Sequence, residues 1–378
     1  MFQIVYFVTS SVSANTFGYN QMLSLVEQGY SVHLICGDGY LKEEIRINIT
    51  SINQIRTLQR NISPISDVRS AINLFILLKR IKPDLMIYST PKAAFIGSLT
   101  SILLGIGTRI YQVWGIRWQN LNGIKLLVVK LSDIISFTFS THIIVVSHSL
   151  FSFLRDFPGS NKMAVLGSGS TTGVDTKIFS QVGGGKNTNR PFIIGFAGRL
   201  AVDKGVIDLI QVFEKIQEYS KGVILEIIGD IDNDDMIPIE TVRRIRLNPK
   251  VKIFKSMAQG DLASRMQSWD LQVFLSKREG LGNVILEAGA CGVPTLGWDI
   301  IGVQDAIPYF AKNCLIPYGN FHILQEAILS FIDKPLTQSE KKTLSQWYID
   351  NYDQTKVLKS FVVFIMSCLG DGYGTKKN

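Results

Sequence analysis

Short apolar runs alternate with longer segments of helical spacing along most of this chain. In the first half these runs lie at 2–9, 31–37, 85–90, 108–115 and 142–147. In the second half they lie at 192–198, 223–230, 251–255, 271–276 and 293–298. Strands that are apolar throughout and separated by helices are typical of a parallel sheet covered on both faces. The alternation therefore predicts an α/β protein with two Rossmann-like domains in tandem.

A polar segment, QVGGGKNTNRP at 181–191, separates the two series and is typical of a linker. The chain has 378 residues, which at roughly 150 residues per domain also indicates two domains. We predict an N-terminal domain over 1–184 and a C-terminal domain over 185–352. A helix is predicted over 353–378, and the topology suggests that it crosses back onto the N-terminal domain.

The stretch SKREGLGNVILEAGACG at 276–292 follows a predicted strand and contains a glycine turn. We predict that Asn283 caps a helix that begins at Val284. The N-terminus of a helix offers backbone N–H groups and the positive end of its dipole, which suits a phosphate. Gly280 and Gly282 would let a ligand approach the backbone closely. The sequence therefore predicts a phosphate site at this turn.

Two glutamates, Glu279 and Glu287, stand eight residues apart around that turn. Side chains on a helix lean toward its N-terminus, so the Glu287 carboxylate can reach back beside the ligand. Carboxylates repel phosphate but accept hydrogen bonds from sugar hydroxyls. The pair thus indicates a nucleotide sugar, whereas either glutamate alone is equally typical of a solvated loop or a first helical turn.

A second motif, GFAGRLAVDKG at 195–205, places Arg199 and Lys204 after the first strand of the second series. A guanidinium and an ammonium at a strand end suit a diphosphate. The block DIDNDD at 230–235 has the spacing of a divalent-metal site. We expect it to be a solvated acidic loop instead.

The stretch at 276–294 resembles the E-x7-E signature of retaining glycosyltransferases of family 4, which have the GT-B fold, and G-R-L-x3-K-G at 198–205 is similar to their donor-pyrophosphate motif. In the first half, the segment 82–115 and the segment LGSGSTTGVDTKIF at 166–179 are similar to bacterial members that build O-antigen, capsule and other surface polysaccharides. The likeness covers essentially the whole chain. It implies two Rossmann-like domains that face each other across a cleft.

The resemblance also implies roles for individual residues. Arg199 and Lys204 would neutralise the donor diphosphate, Glu287 would hold the ribose hydroxyls, and Glu279 would contact the transferred sugar. The donor would also be held by a further set, Gly280, Leu281, Gly282, Asn283 and Gly18, the last of these from the opposite domain. No metal or other cofactor is expected.

The chain departs from the family pattern in the first half. The loop after the first strand reads SSVSANTFGYN and lacks the paired glycine of many relatives. Where many relatives carry a histidine, this chain reads VWGIRWQ with Trp114 and Arg117, and we expect His142 and His148 to be structural. We therefore assign no general base, which fits front-face substitution with retention, in which the leaving phosphate helps to deprotonate the acceptor.

Basic residues are concentrated in the first half. Residues 1–188 contain 17 Lys and Arg against 9 Asp and Glu, whereas residues 189–378 contain 22 of each. Such a surface suits an anionic lipid, a pyrophosphate or nucleic acid, although it also serves solubility. The segments 72–82 and 123–131 mix apolar and basic residues, and either could rest on an anionic membrane. For each segment taken alone, an ordinary amphipathic core helix is slightly favoured.

The family branch implies a nucleotide sugar, with a UDP-sugar expected, as the donor of a hexosyl or N-acetylhexosaminyl group. It implies a polyprenyl-diphosphate-linked saccharide as acceptor, and no nucleic acid. We expect a cytoplasmic enzyme, peripheral at the inner face of the bacterial plasma membrane. No signal peptide or clear membrane-spanning segment is expected, since 93–107 is too short and 126–146 contains Lys130 and Asp133.

Three alternatives remain at this point. The first is a nucleotide-sugar epimerase or hydrolase of the same fold, which would need acid and base residues that are scarce in these motifs. The second is a non-catalytic subunit with a glycosyltransferase fold. The third, a dinucleotide-dependent oxidoreductase, is disfavoured because no G-x-G-x-x-G follows the first strand of either series.

Overall fold

The computed structural model of the chain describes residues 1–59, 61, 63–181, 190–232 and 235–374. It divides into two compact units. The first unit comprises Met1–Thr172 and Thr355–Asn378, and the second comprises Gly173–Gln354. The predicted boundary between residues 184 and 185 lies outside the described residues, and residues 173–181 before it belong to the second unit.

A seven-stranded parallel sheet in the order β3-β2-β1-β4-β5-β6-β7 forms the centre of the first unit. Its strands are β1 (Gln3–Val8), β2 (Ser31–Gly37), β3 (Ser51–Ile55), β4 (Leu85–Ser89), β5 (Thr108–Val113), β6 (His142–Val145) and β7 (Met163–Ala164). The sequence pattern did not predict β3, because SINQI is half polar and lies at the edge of the sheet.

Helices cover both faces of this first sheet. They are α1 (Ser11–Ser13), α2 (Tyr19–Glu27), α3 (Glu43–Asn48), α4 (Pro64–Ile81), α5 (Pro91–Leu103), α6 (Gly123–Phe139) and α7 (His148–Phe153). A π-helical segment, Ala14–Gly18, lies between α1 and α2, and 3-10 turns occur at Trp118–Asn120 and Ser160–Lys162.

The last helix of the chain, Gln354–Gly374, also covers this sheet. We label it α15, because seven helices in the described part of the second unit precede it in the chain. Its apolar side, including Phe361 and Ile365, packs in one cluster with Ile4 and Tyr6 of β1 and Leu34 of β2. These side chains are fully or almost fully buried. The first unit is therefore built from both ends of the chain.

A six-stranded parallel sheet in the order β10-β9-β8-β11-β12-β13 forms the centre of the second unit. Its strands are β8 (Phe192–Ala197), β9 (Val223–Ile228), β10 (Val251–Phe254), β11 (Leu271–Phe274), β12 (Thr295–Trp298) and β13 (Leu315–Ile316). Its helices are α8 (Val206–Tyr219), α9 (Ile239–Leu247), α10 (Gln259–Ser268), α11 (Asn283–Ala290), α12 (Val303–Ala306), α13 (Phe321–Asp333) and α14 (Gln338–Tyr352), with a 3-10 segment at Tyr309–Cys314. The prediction of two Rossmann-like units is confirmed.

The apolar segments at 93–107 and 126–146 form α5, α6, β6 and their connections. Within the part of the chain that the structure describes, no helix combines the length and the apolar character needed to cross a bilayer.

Trp269 fills the space beneath the centre of the second sheet. Its indole is fully buried, and its Nε1–H donates to Glu226 Oε2 at 3.1 Å. A Cβ atom placed on Gly195 of β8 would lie 1.9 Å from Trp269 Cδ2. Only glycine at this position lets the strand pass over the indole.

We therefore predict that Gly195→Ala destabilises the second unit by about 2 kcal/mol, because the added methyl group must displace a closely packed ring. Gly260→Ala is the matched control, since a Cβ there meets no atom within 4 Å and lies in α10, where alanine is favoured. Urea unfolding followed by far-ultraviolet circular dichroism compares the two. Equal midpoints for both variants would contradict the packing argument.

Candidate active site

The carboxyl ends of β8 and β11 lie side by side in the second unit. These two strands are hydrogen-bonded neighbours, and the strand order reverses between them. In open parallel sheets a ligand crevice forms at such a reversal, beyond the carboxyl ends of the strands. The two loops that leave these ends, 198–205 and 275–282, contain most of the predicted site residues.

The two loops are held together through their backbones. The Lys277 N–H donates to the Asp203 carbonyl at 2.8 Å, and the Ser276 hydroxyl donates to the same carbonyl at 3.3 Å. Gly205 has φ of +71°, and a Cβ there would lie 2.1 Å from the Leu275 carbonyl oxygen. The final glycine of G-R-L-x3-K-G therefore permits this close approach.

Lys204 and Glu279 meet across this junction. The distance from Lys204 Nζ to Glu279 Oε1 is 2.6 Å, and the side chains are only 19% and 13% exposed. The sequence placed these residues 75 positions apart, in two separate motifs. The structure thus joins the two motifs in one mostly buried ion pair.

Arg199 is held by carboxylates of neighbouring loops. Its guanidinium is about half exposed; it forms an ion pair with Asp232, and its Nη2 lies 3.5 Å from Asp203 Oδ2. Asp203 Oδ2 is also 3.9 Å from Arg278 Nη2. Sequence reasoning missed Asp203, although its spacing of four residues from Arg199 is a recognisable ion-pair signal.

The acidic block at 230–235 differs from the solvated loop that we predicted. Asp232 is almost buried in its pair with Arg199, and Asp235 Oδ2 accepts a hydrogen bond from the Asp203 N–H at 2.8 Å. Residues 233 and 234 lie outside the described residues. Among the residues that the structure does describe, no group of three or more His, Cys, Asp and Glu side chains is arranged to hold a metal ion.

Helix α11 begins one residue earlier than predicted. Asn283 is its first residue, and Gly282 is the cap, which has no side chain to bond the first turn. The prediction that Asn283 caps the helix is therefore wrong. Because the cap is a glycine, the N–H groups of the first turn are not occupied by a capping side chain, which keeps this helix end suitable for a ligand.

The loop after β12 packs against the backbone of the glycine turn at 280–282. Gly302, after β12, has φ of +83°, and a Cβ there would lie 2.6 Å from the Gly280 carbonyl oxygen and 3.1 Å from the Glu279 carbonyl carbon. Gly280, Leu281 and Gly282 are all buried. Sequence reasoning missed Gly302, because a lone glycine in WDIIGVQD has no motif around it.

Glu287 lies on α11, and its carboxyl group has no hydrogen-bond or ion-pair partner among the described residues. Part of its surface still reaches solvent, yet burial of the carboxyl raises its pKa from 4.5 to about 7. A carboxyl group that is largely desolvated and lacks a protein partner is suited to a ligand hydroxyl.

The remaining predicted residue, Gly18, belongs to the first unit. It ends the π-helical segment, and a Cβ there would lie 3.1 Å from Tyr6 Cε1, so the glycine makes room for this ring. The Tyr6 hydroxyl lies 2.8 Å from Gln21 Oε1 and 3.1 Å from Gln112 Oε1, and its one hydrogen can be donated to either oxygen. Gln112 Oε1 also accepts from Trp114 Nε1 at 3.1 Å.

This polar network holds the indole of Trp114, the tryptophan of the VWGIRWQ stretch. Sequence reasoning missed the network, although a glutamine inside the apolar strand TRIYQV was a visible signal. His142, which we expected to be structural, begins β6 and packs edge-on against Phe364. His148, for which we expected the same, begins α7.

Comparison with protein families identifies both units. The model described as "Glycosyl transferases group 1" matches residues 181–347, and the model "Glycosyl transferase 4-like" matches residues 3–146. The capsular polysaccharide biosynthesis glycosyltransferase CapM of Staphylococcus aureus is 29% identical over 321 residues, which cover 83% of this chain and 83% of CapM. The Escherichia coli UDP-Gal:alpha-D-GlcNAc-diphosphoundecaprenol alpha-1,3-galactosyltransferase is 24% identical over 344 residues, 85% of this chain and 83% of that protein.

Solved structures show the same fold. Sucrose-phosphate synthase from Thermosynechococcus elongatus aligns with a TM-score of 0.80 at 14% identity, over 98% of this chain and all of that one. Anabaena Alr3699/HepE in complex with UDP-glucose aligns with a TM-score of 0.76 at 16% identity, over 96% of this chain and 99% of that one. The predicted GT-B fold is thereby confirmed.

The raised pKa of Glu287 gives a testable dependence of stability on pH. The folded state holds its proton up to about pH 7, whereas the unfolded carboxyl releases it near 4.5, so the protein loses stability as pH rises between these values. We predict that Glu287→Gln, which cannot ionise, becomes more stable than the wild type by up to roughly 3 kcal/mol above about pH 7. Below about pH 4.5 the difference should vanish.

Thermal unfolding of both proteins across this pH range measures the effect. Glu218→Gln on the exposed side of α8 is the control and should follow the wild type at every pH. A constant difference between Glu287→Gln and the wild type would show that the carboxyl is not desolvated.

Proposed function

This chain is a family 4 glycosyltransferase with the GT-B fold, and we propose that it moves a sugar from a nucleotide-diphosphate donor to a polyprenyl-diphosphate-linked saccharide in surface polysaccharide synthesis. We expect a UDP-sugar as donor. The similarity to CapM supports the pathway, and the similarity to a galactosyltransferase named for UDP-Gal and a diphosphoundecaprenol acceptor supports both substrate classes. The complex of Alr3699/HepE with UDP-glucose gives further support for the donor.

The observation that carries this proposal is the contact of Lys204 with Glu279 at the strand-order reversal of the second unit. The Lys204 ammonium can bind a phosphate, and the Glu279 carboxylate can bind a hydroxyl. These two groups are within hydrogen-bond distance of each other. A sugar bonded directly to a diphosphate presents those two chemistries side by side. Lys204 would take a phosphate oxygen and Glu279 a hydroxyl of the transferred sugar.

Donor binding would exchange ion pairs rather than create them from free charges. In the ligand-free protein Arg199 is neutralised by Asp232 and Asp203. A diphosphate carries more charge than either carboxylate and accepts bidentate hydrogen bonds from a guanidinium. Arg199 would therefore turn to the diphosphate, while the carboxylates hold it near the site until the donor arrives.

Glu287 would hold the ribose hydroxyls. Its carboxyl has no hydrogen-bond or ion-pair partner within the described part of the chain, and burial favours its neutral form. A hydroxyl that donates to the carboxylate favours the charged form, so nucleotide binding and loss of the proton support each other. The buried Gly280, Leu281 and Gly282, with Asn283 at the start of α11, would supply the backbone around the sugar and phosphate.

The contribution of Gly18 from the first unit stays a prediction from the family resemblance. The same is true of retention. We infer that the departing phosphate helps to deprotonate the acceptor, with Arg199 and Lys204 stabilising its developing charge. Stabilisation of this kind is commonly the largest catalytic term. We also expect no metal or other cofactor, and an enzyme that is peripheral at the inner face of the plasma membrane.

A donor screen tests the function directly. Purified enzyme is incubated with single nucleotide sugars and a short-chain polyprenyl-diphosphate sugar, and products are identified by mass spectrometry. We expect a single sugar to be added from a UDP-sugar, with its anomeric configuration retained by NMR and the rate unchanged in EDTA. Turnover of the donor without any acceptor would instead indicate an epimerase or a hydrolase.

We predict that Lys204→Ala and Glu279→Ala each lower kcat about 100-fold or more, because each removes a group that contacts the reacting part of the donor. Each change leaves the partner charge unpaired and mostly buried, so some loss of stability is expected, and circular dichroism must show that each variant is folded before its kcat is compared. Lys221→Ala, an exposed lysine of the same unit, is the control. Unchanged melting temperature together with unchanged kcat in either site variant would remove that residue from the proposed site.

A further inference from the structure

Helix α4 of the first unit carries apolar side chains on two opposite faces. Its inner face is fixed by three buried residues spaced four apart, Ser70, Leu74 and Leu78. Its outer face exposes a row of branched aliphatic residues, Ile65, Val68, Ile72 and Ile76, each between 54% and 71% exposed. An ordinary surface helix has polar residues on this side. The row therefore costs solvation in water unless something covers it.

Helix α6 has the same arrangement. Its inner face holds Asp133, Ser136 and Phe137, which are buried. Its outer face exposes Ile124, Leu127, Val128 and Leu131, which follow the i, i+3, i+4, i+7 spacing of a single stripe. The sequence slightly favoured amphipathic core helices, and one side of each helix is indeed buried, but the opposite side of each also exposes an apolar row.

The two stripes lie on the same side of the first sheet. Helix α5 packs against both α4 and α6. All three helices connect strands that follow one another in one direction across the sheet, from β3 to β4 to β5 to β6. Right-handed crossovers in one direction place their helices on one face. Helix α5 is mostly buried in the middle, so α4 and α6 form two outer ridges, which we name the α4/α6 surface.

The charges on these three helices are sorted by sign. All their residues are described, and they contain two carboxylates. Asp67 lies 2.6 Å from the ammonium of Lys92, and Asp133 is buried, where it accepts from the Tyr111 hydroxyl at 3.3 Å. The bases face solvent instead; they are Arg69, Lys79, Arg80, Lys125 and Lys130. The outward surface is thus apolar and exclusively basic.

We propose that the α4/α6 surface docks onto an anionic lipid bilayer, with its aliphatic rows in the headgroup boundary and its bases against lipid phosphates. Apolar rows flanked by Lys and Arg are the combination that such an interface favours. A protein partner of ordinary composition would complement the apolar rows but not a surface with a single sign of charge.

This inference deepens the proposed function and rests on it for its purpose. Helix α4 follows the carboxyl end of β3, and α6 follows the carboxyl end of β5. The exposed row of α6 occupies the half of the helix nearest to its strand end, and the row of α4 begins at that end and runs to Ile76. A bilayer at the α4/α6 surface would therefore meet the first sheet beside the edge where ligands of such sheets bind. A lipid-linked acceptor would then reach the enzyme without leaving its membrane.

Vesicle co-sedimentation tests the docking without donor or acceptor, so its outcome is independent of the donor screen. We expect the full chain to sediment with vesicles of phosphatidylglycerol and phosphatidylcholine at low salt, and to remain in the supernatant with phosphatidylcholine alone. Binding should weaken as salt is raised, because the bases act through screened charges.

Matched variants locate the surface. Ile124→Ser with Leu127→Ser should lower vesicle binding about tenfold or more, and Lys125→Glu with Lys130→Glu should do the same. The controls make the same changes in the second unit: Ile239→Ser with Leu247→Ser on α9, and Lys252→Glu with Lys255→Glu on β10 and beyond it. These four residues are also exposed, and the controls should bind as the wild type.

A second measurement does not depend on loss of binding. The four native cysteines are buried, so a Leu127→Cys variant can be labelled selectively with an environment-sensitive dye. Its emission should shift to the blue on addition of phosphatidylglycerol vesicles. The proposal is overturned if the wild type ignores these vesicles, if α6 and α9 variants bind equally, or if the dye does not respond. A dimer in light scattering that the α6 variants dissociate, without vesicle binding, would assign the surface to a second copy instead.

Discussion

The contact between the loop after β8 and the loop after β11 is the constraint on which the proposed donor site depends. The Asp203 carbonyl receives the Lys277 N–H, and Gly205 passes within contact of the Leu275 carbonyl. These backbone contacts bring Lys204 to Glu279, two residues that the chain separates widely. Since the backbone sets this approach, the proposed site would be in place before any ligand binds, and the side chains would only exchange partners.

The same junction explains why the site is rich in acidic groups although its proposed ligand is anionic. A cluster of unpaired cations would repel itself and destabilise the folded protein. Carboxylates such as Asp203 and Asp232 neutralise the cations in the ligand-free state. The binding energy of the proposed diphosphate ligand would therefore be a difference between two sets of ion pairs. This would favour a ligand that offers better hydrogen-bond geometry than a single carboxylate.

Much of this fold is predictable from the sequence, because parallel strands are apolar throughout, and both motifs that the structure joins through Lys204 and Glu279 are visible in it. Strand β3 was missed because an edge strand needs no continuous apolar run. Asn283 was misassigned as the N-cap of α11 because asparagine and glycine are both favoured at that position. Residue preference alone therefore cannot decide between Asn283 and its neighbour Gly282. The contacts of Gly302 with Gly280 and of Asp203 with Lys277 join residues that are distant in sequence, so no local pattern reveals them. The outward direction of the α4 and α6 rows depends on which side of each helix packs against the sheet. Periodicity shows that a stripe exists but not which side it faces.

Helix α15 has a consequence for how the protein is made. Its residues Phe361 and Ile365 complete the apolar cluster around β1 and β2, yet they are synthesised after the entire second unit. During translation the sheet of the first unit therefore waits, with part of its core uncovered, while the second unit emerges and can already fold. The first unit, although its synthesis starts first, can thus complete its core only after the second unit has been synthesised. The earliest strand of the chain is among the last to receive its final neighbours, which makes a nascent chain halted before α15 a natural substrate for chaperones.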